Sequence, residues 1–114
     1  MALMINRRQS GEIEILDLAG KLVLGEESGA LREIVKGLLA ENRKNILLNL
    51  SDVTFIDSTG VGTLVGVLTS ARQQGGQLKL IHLTKKFQET LQVTRLLTVF
   101  ETHEDEAAAL ASFS

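Results

Sequence analysis

Ile46-Leu47-Leu48-Asn49-Leu50 is an almost unbroken apolar run of strand length, and no other segment restricts the fold as much. A strand with one face in water alternates apolar and polar residues. A run that is apolar on both parities needs cover on both faces, which is the situation of an interior strand in a parallel sheet. Parallel strands require crossovers, and the flanking sequence provides two helices. Upstream, Leu31, Ile34, Val35, Leu38 and Leu39 recur at helical spacing until Asn42 ends the segment. Downstream, Asp57-Ser58-Thr59-Gly60 introduces Val61, Leu64, Val65 and Leu68, and the Gly75-Gly76 pair closes this second helix through a C-cap.

The remaining elements follow from the same patterns. Leu3 to Ile5 and Ile13 to Leu18 are strand-like runs on either side of a polar turn at Ser10 and Gly11, which predicts an opening β-hairpin. A loop is expected from Gly20 to about Ser28. Leu78 to Ile81 reads as another strand. Thr84 is placed to cap a third helix carrying Phe87 and Leu91 and ending near Thr94 or Arg95, and Leu97 to Phe100 is expected to form a last short strand. A fourth helix collects Glu104, Asp105 and Glu106 in its first turn, where carboxylates complement the helix dipole, and Ala107 to Leu110 supply helix propensity. The expected fold class is α/β. Residues 1–114 form a single domain in this reading, with a mixed sheet of about five strands opened by an N-terminal hairpin and about four helices. Right-handed crossovers make the later strands parallel.

Composition removes several classes of function. The chain has 114 residues, enough for one core, and its 44% apolar and 23% charged residues are those of a globular protein. Cys is absent, which excludes disulfides, thiolate ligands and thiol nucleophiles. Neither Ile46 to Leu50 nor Val61 to Leu68 is long enough to cross a bilayer, so no membrane association is expected. At the N-terminus Arg7 and Arg8 follow the apolar Met1 to Ile5, the reverse of a secretory signal, and the expected location is the cytoplasm. Formal net charge is -2, the Lys and Arg residues are scattered and Trp and Tyr are missing, which argues against direct nucleic-acid binding. Phe55, Phe87, Phe100 and Phe113 each sit in an apolar pattern and are expected in the core.

One segment carries chemistry. In Val53 to Gly62, V-T-F-I-D-S-T-G-V-G, an apolar strand delivers an acid and two hydroxyls to a Gly-containing helix start. In open α/β sheets the crevice beyond the strand C-termini is where ligands meet helix N-termini. Free N–H groups and the dipole there stabilise an anion by about 0.3–1 kcal/mol when exposed. Gly60 and Gly62 are expected to keep the turn sterically open. A phosphate on Ser58 adds about −1.5 to −2 charges at neutral pH, enough to change how the surface meets a partner. Asp and Ser are equally ordinary N-caps, and on spacing alone a plain cap explains the segment better. A second aspartate motif of the aspartic-protease type is missing, and His82 and His103 fall in no triad pattern. His82 is expected to end a strand and His103 to lie in a solvated loop. The acids Glu101, Glu104, Asp105 and Glu106 lack calcium-loop spacing and are expected to form a solvated helix start. No catalytic residue, metal ligand or cofactor is assigned, and the chain is not expected to be an enzyme.

Asn49-Leu50 and Asp52-Val53, then Phe55-Ile56-Asp57-Ser58-Thr59-Gly60-Val61-Gly62, then Gly75-Gly76 before a strand, resemble the bacterial anti-sigma factor antagonists of the STAS family. The resemblance covers Ile46 to Gly76 and extends more loosely over the whole chain. It implies a STAS-type fold and a partner-switching mechanism. The unphosphorylated form would bind an anti-sigma factor with serine kinase activity and so release a sigma factor. Phosphorylation at Ser58 would switch this off, and a PP2C-type phosphatase would reverse it. The implied partner-binding residues are Gly20, Leu22, Val23, Asp57, Ser58, Thr59, Gly60, Val61 and Gly62, with the exposed face of the second helix. Thr59 stands where many antagonists have a second Ser and offers a competing hydroxyl. Gly20-Lys21-Leu22-Val23 lacks the acidic residue that often follows Gly-x-Leu in the family. The alternative from another class is a STAS scaffold or subunit of a transport or stress-sensing complex.

Overall fold

The computed structural model describes residues 3–22, 26–93, 95 and 99–113. Strands β1 (Leu3–Ser10) and β2 (Ile13–Leu22) form the N-terminal antiparallel hairpin, turned by Gly11 at φ 60°. Helix α1 (Glu26–Ala40) leads to β3 (Asn45–Ile56), α2 (Ser58–Gln73), β4 (Gln77–Ile81), α3 (Lys85–Val93), β5 (Glu101–His103) and α4 (Glu106–Ser112). The strands lie in the order β1-β2-β3-β4-β5, with β2 to β5 mutually parallel and β3 in the centre.

Helix ends follow the local chemistry. Asn42 adopts φ 64° after α1, while the Arg43 N–H reaches the Leu38 carbonyl at 2.8 Å. At the end of α2 Gly75 takes φ 79°, its N–H donates to the Arg72 carbonyl, and the Gly76 N–H donates to the Ala71 carbonyl at 2.8 Å. This is the Schellman pattern, in which a left-handed residue lets the chain satisfy its last carbonyls. The Thr84 hydroxyl accepts from the Phe87 N–H at 3.2 Å and caps α3, and Asp105 accepts from the Ala108 N–H at 2.7 Å and caps α4.

The two parities of β3 explain its continuous apolar run. Ile46, Leu48 and Leu50 join Leu16, Leu18, Leu78 and Leu80 beneath Leu31, Val35 and Leu38 of α1, Leu64 and Leu68 of α2, and Phe87 and Leu91 of α3. Leu47 faces the opposite way, with Ile15 and Ile81, under Ala109 of α4. Polar side chains pin α4 across this second face. The buried Lys79 ammonium donates to the Ser112 carbonyl at 2.9 Å and hydroxyl at 2.8 Å, pairs with Glu101 at 2.9 Å and lies 4.6 Å from the Phe113 ring centroid. Arg8 on β1 joins Asp17 at 2.6 Å and Glu106 at 2.7 Å. The buried Glu14 pairs with Arg7 and Arg43, as burial of a carboxylate demands.

Several expectations are corrected. Helix α1 begins at Glu26, inside the segment expected to be loop as far as Ser28. The last strand is Glu101–His103 rather than Leu97 to Phe100, of which residues 97 and 98 lie outside the described residues. Phe100 sits in a bend and plugs the main core, so its hydrophobicity marks burial and the polar residues after it pair with β4. His103 therefore belongs to β5, where its Nε2 lies 2.7 Å from Glu101 Oε2. Of the four acids expected at a solvated helix start, Glu104, Asp105 and Glu106 do lead into α4, whereas Glu101 lies in β5 and pairs with Lys79. Phe55 is 42% exposed, not in the core. Strand β3 pairs with β4 only as far as Asn49, so Phe55 lies past the layer that would cover it.

Candidate functional site

The site forms where β2 and β3 run beyond the rest of the sheet. Their pairing continues through Gly20↔Val53, Lys21↔Phe55 and Leu22↔Ile56, with register shifts that bend the ribbon. Gly20 takes φ 104°, a conformation that favours glycine, and its carbonyl accepts from the Thr54 hydroxyl at 3.1 Å. Strand β3 then ends and Asp57 turns the chain into α2.

Asp57 is extended, at φ −108° and ψ −177°, and its Oδ1 accepts from the Gly60 N–H at 2.8 Å. Its carbonyl takes the Val61 N–H at 3.0 Å, and its own N–H donates to the Leu22 carbonyl at 3.3 Å. Asp57 is therefore a true N-cap that also ties the helix start to the end of β2. Ser58 is the first helical residue and is exposed, whereas Thr59 is half-buried. The Thr59 carbonyl accepts from the buried Thr63 hydroxyl at 3.0 Å, which in turn lies 3.5 Å from the Arg32 guanidinium of α1.

Two glycines expected to act alike have different physical roles. A Cβ on Gly60 would overlap the Leu22 carbonyl oxygen and approach Ile56 Cγ1 to 2.8 Å, so only glycine permits the close contact between helix start and ribbon. A Cβ on Gly62 would meet nothing within 4 Å, and the same is true one turn later at Gly66. Gly62 and Gly66 leave an open strip of backbone on α2, one and two turns beyond Ser58.

The residues expected to bind a partner divide accordingly. Asp57, Ser58, Thr59 and Gly62 come together at an accessible helix start. Leu22, Gly60 and Val61 are buried; Leu22 and Val61 place their side chains in the main core and brace the turn from beneath. The side chains of Leu22 and Val61 are therefore not presented at the surface. Val23 lies outside the described residues. Sequence reading missed the basic side chains that the topology gathers here: Lys21 beside Phe55 in register, and Lys86 with its Nζ 5.2 Å from the Phe55 ring centroid. Their positions in sequence give no sign of proximity. Among the described residues no cluster of His, Cys, Asp or Glu is arranged to hold a metal ion, and no helix is long and apolar enough to cross a membrane.

The model of the STAS domain family matches residues 4–109. An anti-sigma-B factor antagonist of Bacillus subtilis is 35% identical over 63 residues, 55% of this chain and 58% of that relative's length. The aligned part thus spans little more than half of that protein. A candidate anti-sigma factor antagonist from Thermotoga maritima has the same fold, with a TM-score of 0.85 at 23% identity over 96% of this chain and 93% of that one. The Bacillus cell fate determinant SpoIIAA in its phosphorylated form superposes with a TM-score of 0.73 at 18% identity, covering 95% and 98% of the two chains.

Proposed function

Because the chain belongs to the STAS domain family, we propose that it is a cytoplasmic anti-sigma factor antagonist, a binding protein with no catalytic activity of its own, switched by phosphorylation at Ser58. The unmodified form binds an anti-sigma factor with serine kinase activity and so releases a sigma factor; phosphorylation ends that binding, and a PP2C-type phosphatase restores it.

The observation that carries this reading is the exposed Ser58 at the first position of α2, behind an Asp57 cap that has already taken the Gly60 N–H. A phosphate at this position sits at the positive end of the helix dipole, so it is compatible with the helix and alters the surface rather than the fold. Gly60 and the Leu22 carbonyl hold the turn against the ribbon, which leaves electrostatics as the switch. The names of the relatives support the antagonist role, and the phosphorylated SpoIIAA structure supports a phosphate on this fold. Ser58 is favoured over Thr59 as acceptor because it is the more exposed of the two. The docking surface comprises Asp57, Ser58, Thr59 and Gly62, Gly20 near the end of β2 and the open face of α2 past Gly66.

The test is an affinity capture from native extract with wild-type and Ser58→Asp baits, followed by mass spectrometry. Recovery of a serine-kinase anti-sigma factor by wild type alone supports the switch. Capture of the same transporter or scaffold components by both baits overturns it.

A further inference from the structure

We infer that the partner surface extends from the helix start onto a basic, aromatic patch made by Phe55, Lys21 and Lys86, and that this patch takes an acidic segment of the partner carrying an apolar side chain. The inference rests on the antagonist reading and names the chemistry of the partner's contact.

Phe55 is the large aromatic side chain left substantially exposed among the described residues, and it stands two residues before the Asp57 cap. Strand β4 stops short of it, and α3 begins beside it: Thr84, Lys86 and Phe87 line a small depression with Val53, Thr54, Phe55 and Ile56. Lys86 reaches over the ring from this side. Lys21 is the register partner of Phe55 on the other side, about 4.8 Å away along the sheet. Lys85, the first residue of α3, adds a further exposed cation. No ion pair joins Lys21, Lys85 or Lys86 to a carboxylate among the described side chains, which do not include those of residues 26–28.

In a chain of net charge -2, this is a local concentration of positive charge around a solvent-facing ring. Electrostatic complementarity selects a negatively charged partner segment, and a fixed aromatic ring offers an anchor for an apolar side chain at its centre. The patch lies at the same end of the sheet as Ser58, since Phe55 is the penultimate residue of β3, just ahead of α2, and Lys86 is the second residue of α3. A phosphate on Ser58 adds negative charge at the same end of the sheet and so works against an acidic partner, which links the patch to the switch.

The experiment measures affinity between the full chain and the anti-sigma factor recovered by the wild-type bait, purified separately, by titration calorimetry at low and high salt. The variants are Phe55→Ala and Lys21→Glu/Lys86→Glu, with Ser10→Glu, at the hairpin turn on the far end of the sheet, as the charge control. Circular dichroism verifies that each is folded; these side chains are exposed, and the core does not depend on them. Phe55→Ala is expected to weaken binding about tenfold. The double lysine variant is expected to weaken it by at least as much at low salt, with the loss shrinking at high salt as screening removes the attraction it reports. Ser10→Glu is expected to bind as wild type does. Unchanged affinity of both patch variants overturns the patch and leaves the antagonist reading standing. Failure of wild type to recover any anti-sigma factor overturns that reading and the patch with it.

Discussion

Adding one methyl group at Gly60 and at Gly62 should move stability in opposite directions, although the residues are neighbours on the same helix. In α2 both substitutions gain the intrinsic preference of Ala over Gly, about 1 kcal/mol. At Gly62 nothing opposes it, since the new Cβ meets no atom within 4 Å. At Gly60 the Cβ overlaps the Leu22 carbonyl oxygen and crowds Ile56 Cγ1 at 2.8 Å. The first of these neighbours is backbone and cannot turn away. Relief requires lifting α2 from the ribbon, which strains the bond from the Asp57 N–H to the Leu22 carbonyl. Overpacking of this kind costs about 1–3 kcal/mol, and an immovable neighbour places it at the upper end. Net changes of about 2 kcal/mol destabilising for Gly60→Ala and about 1 kcal/mol stabilising for Gly62→Ala follow. Urea unfolding followed by circular dichroism reads the difference: at an m-value of about 1.5 kcal/mol/M the two midpoints should stand about 2 M apart. Equal midpoints would show that the helix start is not packed against β2 as described, and the reasoning about Gly60 would be wrong.

Other expectations test separate parts of the structure. Asp57→Ala removes the cap of α2 and should lower stability by about 1 kcal/mol in the same urea assay, while Asp57→Asn, which keeps an acceptor, should lower it less. Ser58→Ala should retain partner binding in calorimetry and block incorporation of phosphate by the partner kinase, whereas Ser58→Asp should weaken binding; tight binding by the Asp variant would remove the charge mechanism. Gly66→Ala should leave the fold intact but reduce partner affinity if α2 is approached closely along its open strip, and surface plasmon resonance would read this as faster dissociation. The Arg8 cluster predicts a pH dependence. Hydrogen bonds from Arg8 hold Asp17 and Glu106 below their ordinary values of 3.8 and 4.5. Groups depressed on folding contribute stability that is complete above those ordinary values and is lost as pH falls through the folded ones. The gap in thermal midpoint between wild type and Arg8→Gln should therefore be widest near about pH 6 and close as pH falls below about 4.

The opening hairpin, the helices and the central strand were legible because each depends on short-range pattern. Ile46 to Leu50 could be read as covered on both faces, Asn42 and Gly75 as helix stops and Thr84 and Asp57 as caps, since capping and periodicity are set within a few residues of chain. The strand after α3 was not legible in the same way. Phe100 carries the hydrophobic signal, but the residues that pair with β4 are Glu101, Thr102 and His103, and an edge strand can be polar because backbone pairing alone recruits it. Phe55 is the converse: its apolar context reads as core, and it is exposed because β4 is shorter than β3.

The turn that carries Ser58 shows the same division. Sequence alone determined that an acid and a hydroxyl stand at a helix start, because the N-cap bond from Asp57 to the Gly60 N–H spans three residues. Tertiary structure decided what surrounds them. Gly60 is required by a carbonyl at the end of β2, thirty-eight positions earlier in the chain. Lys21 and Lys86 flank one ring only because parallel pairing and a crossover bring the ends of β2 and β3 and the start of α3 to one edge. Capping and periodicity are local and are written in consecutive residues, whereas the side chains that share a surface in a parallel sheet are set by the order and lengths of its strands.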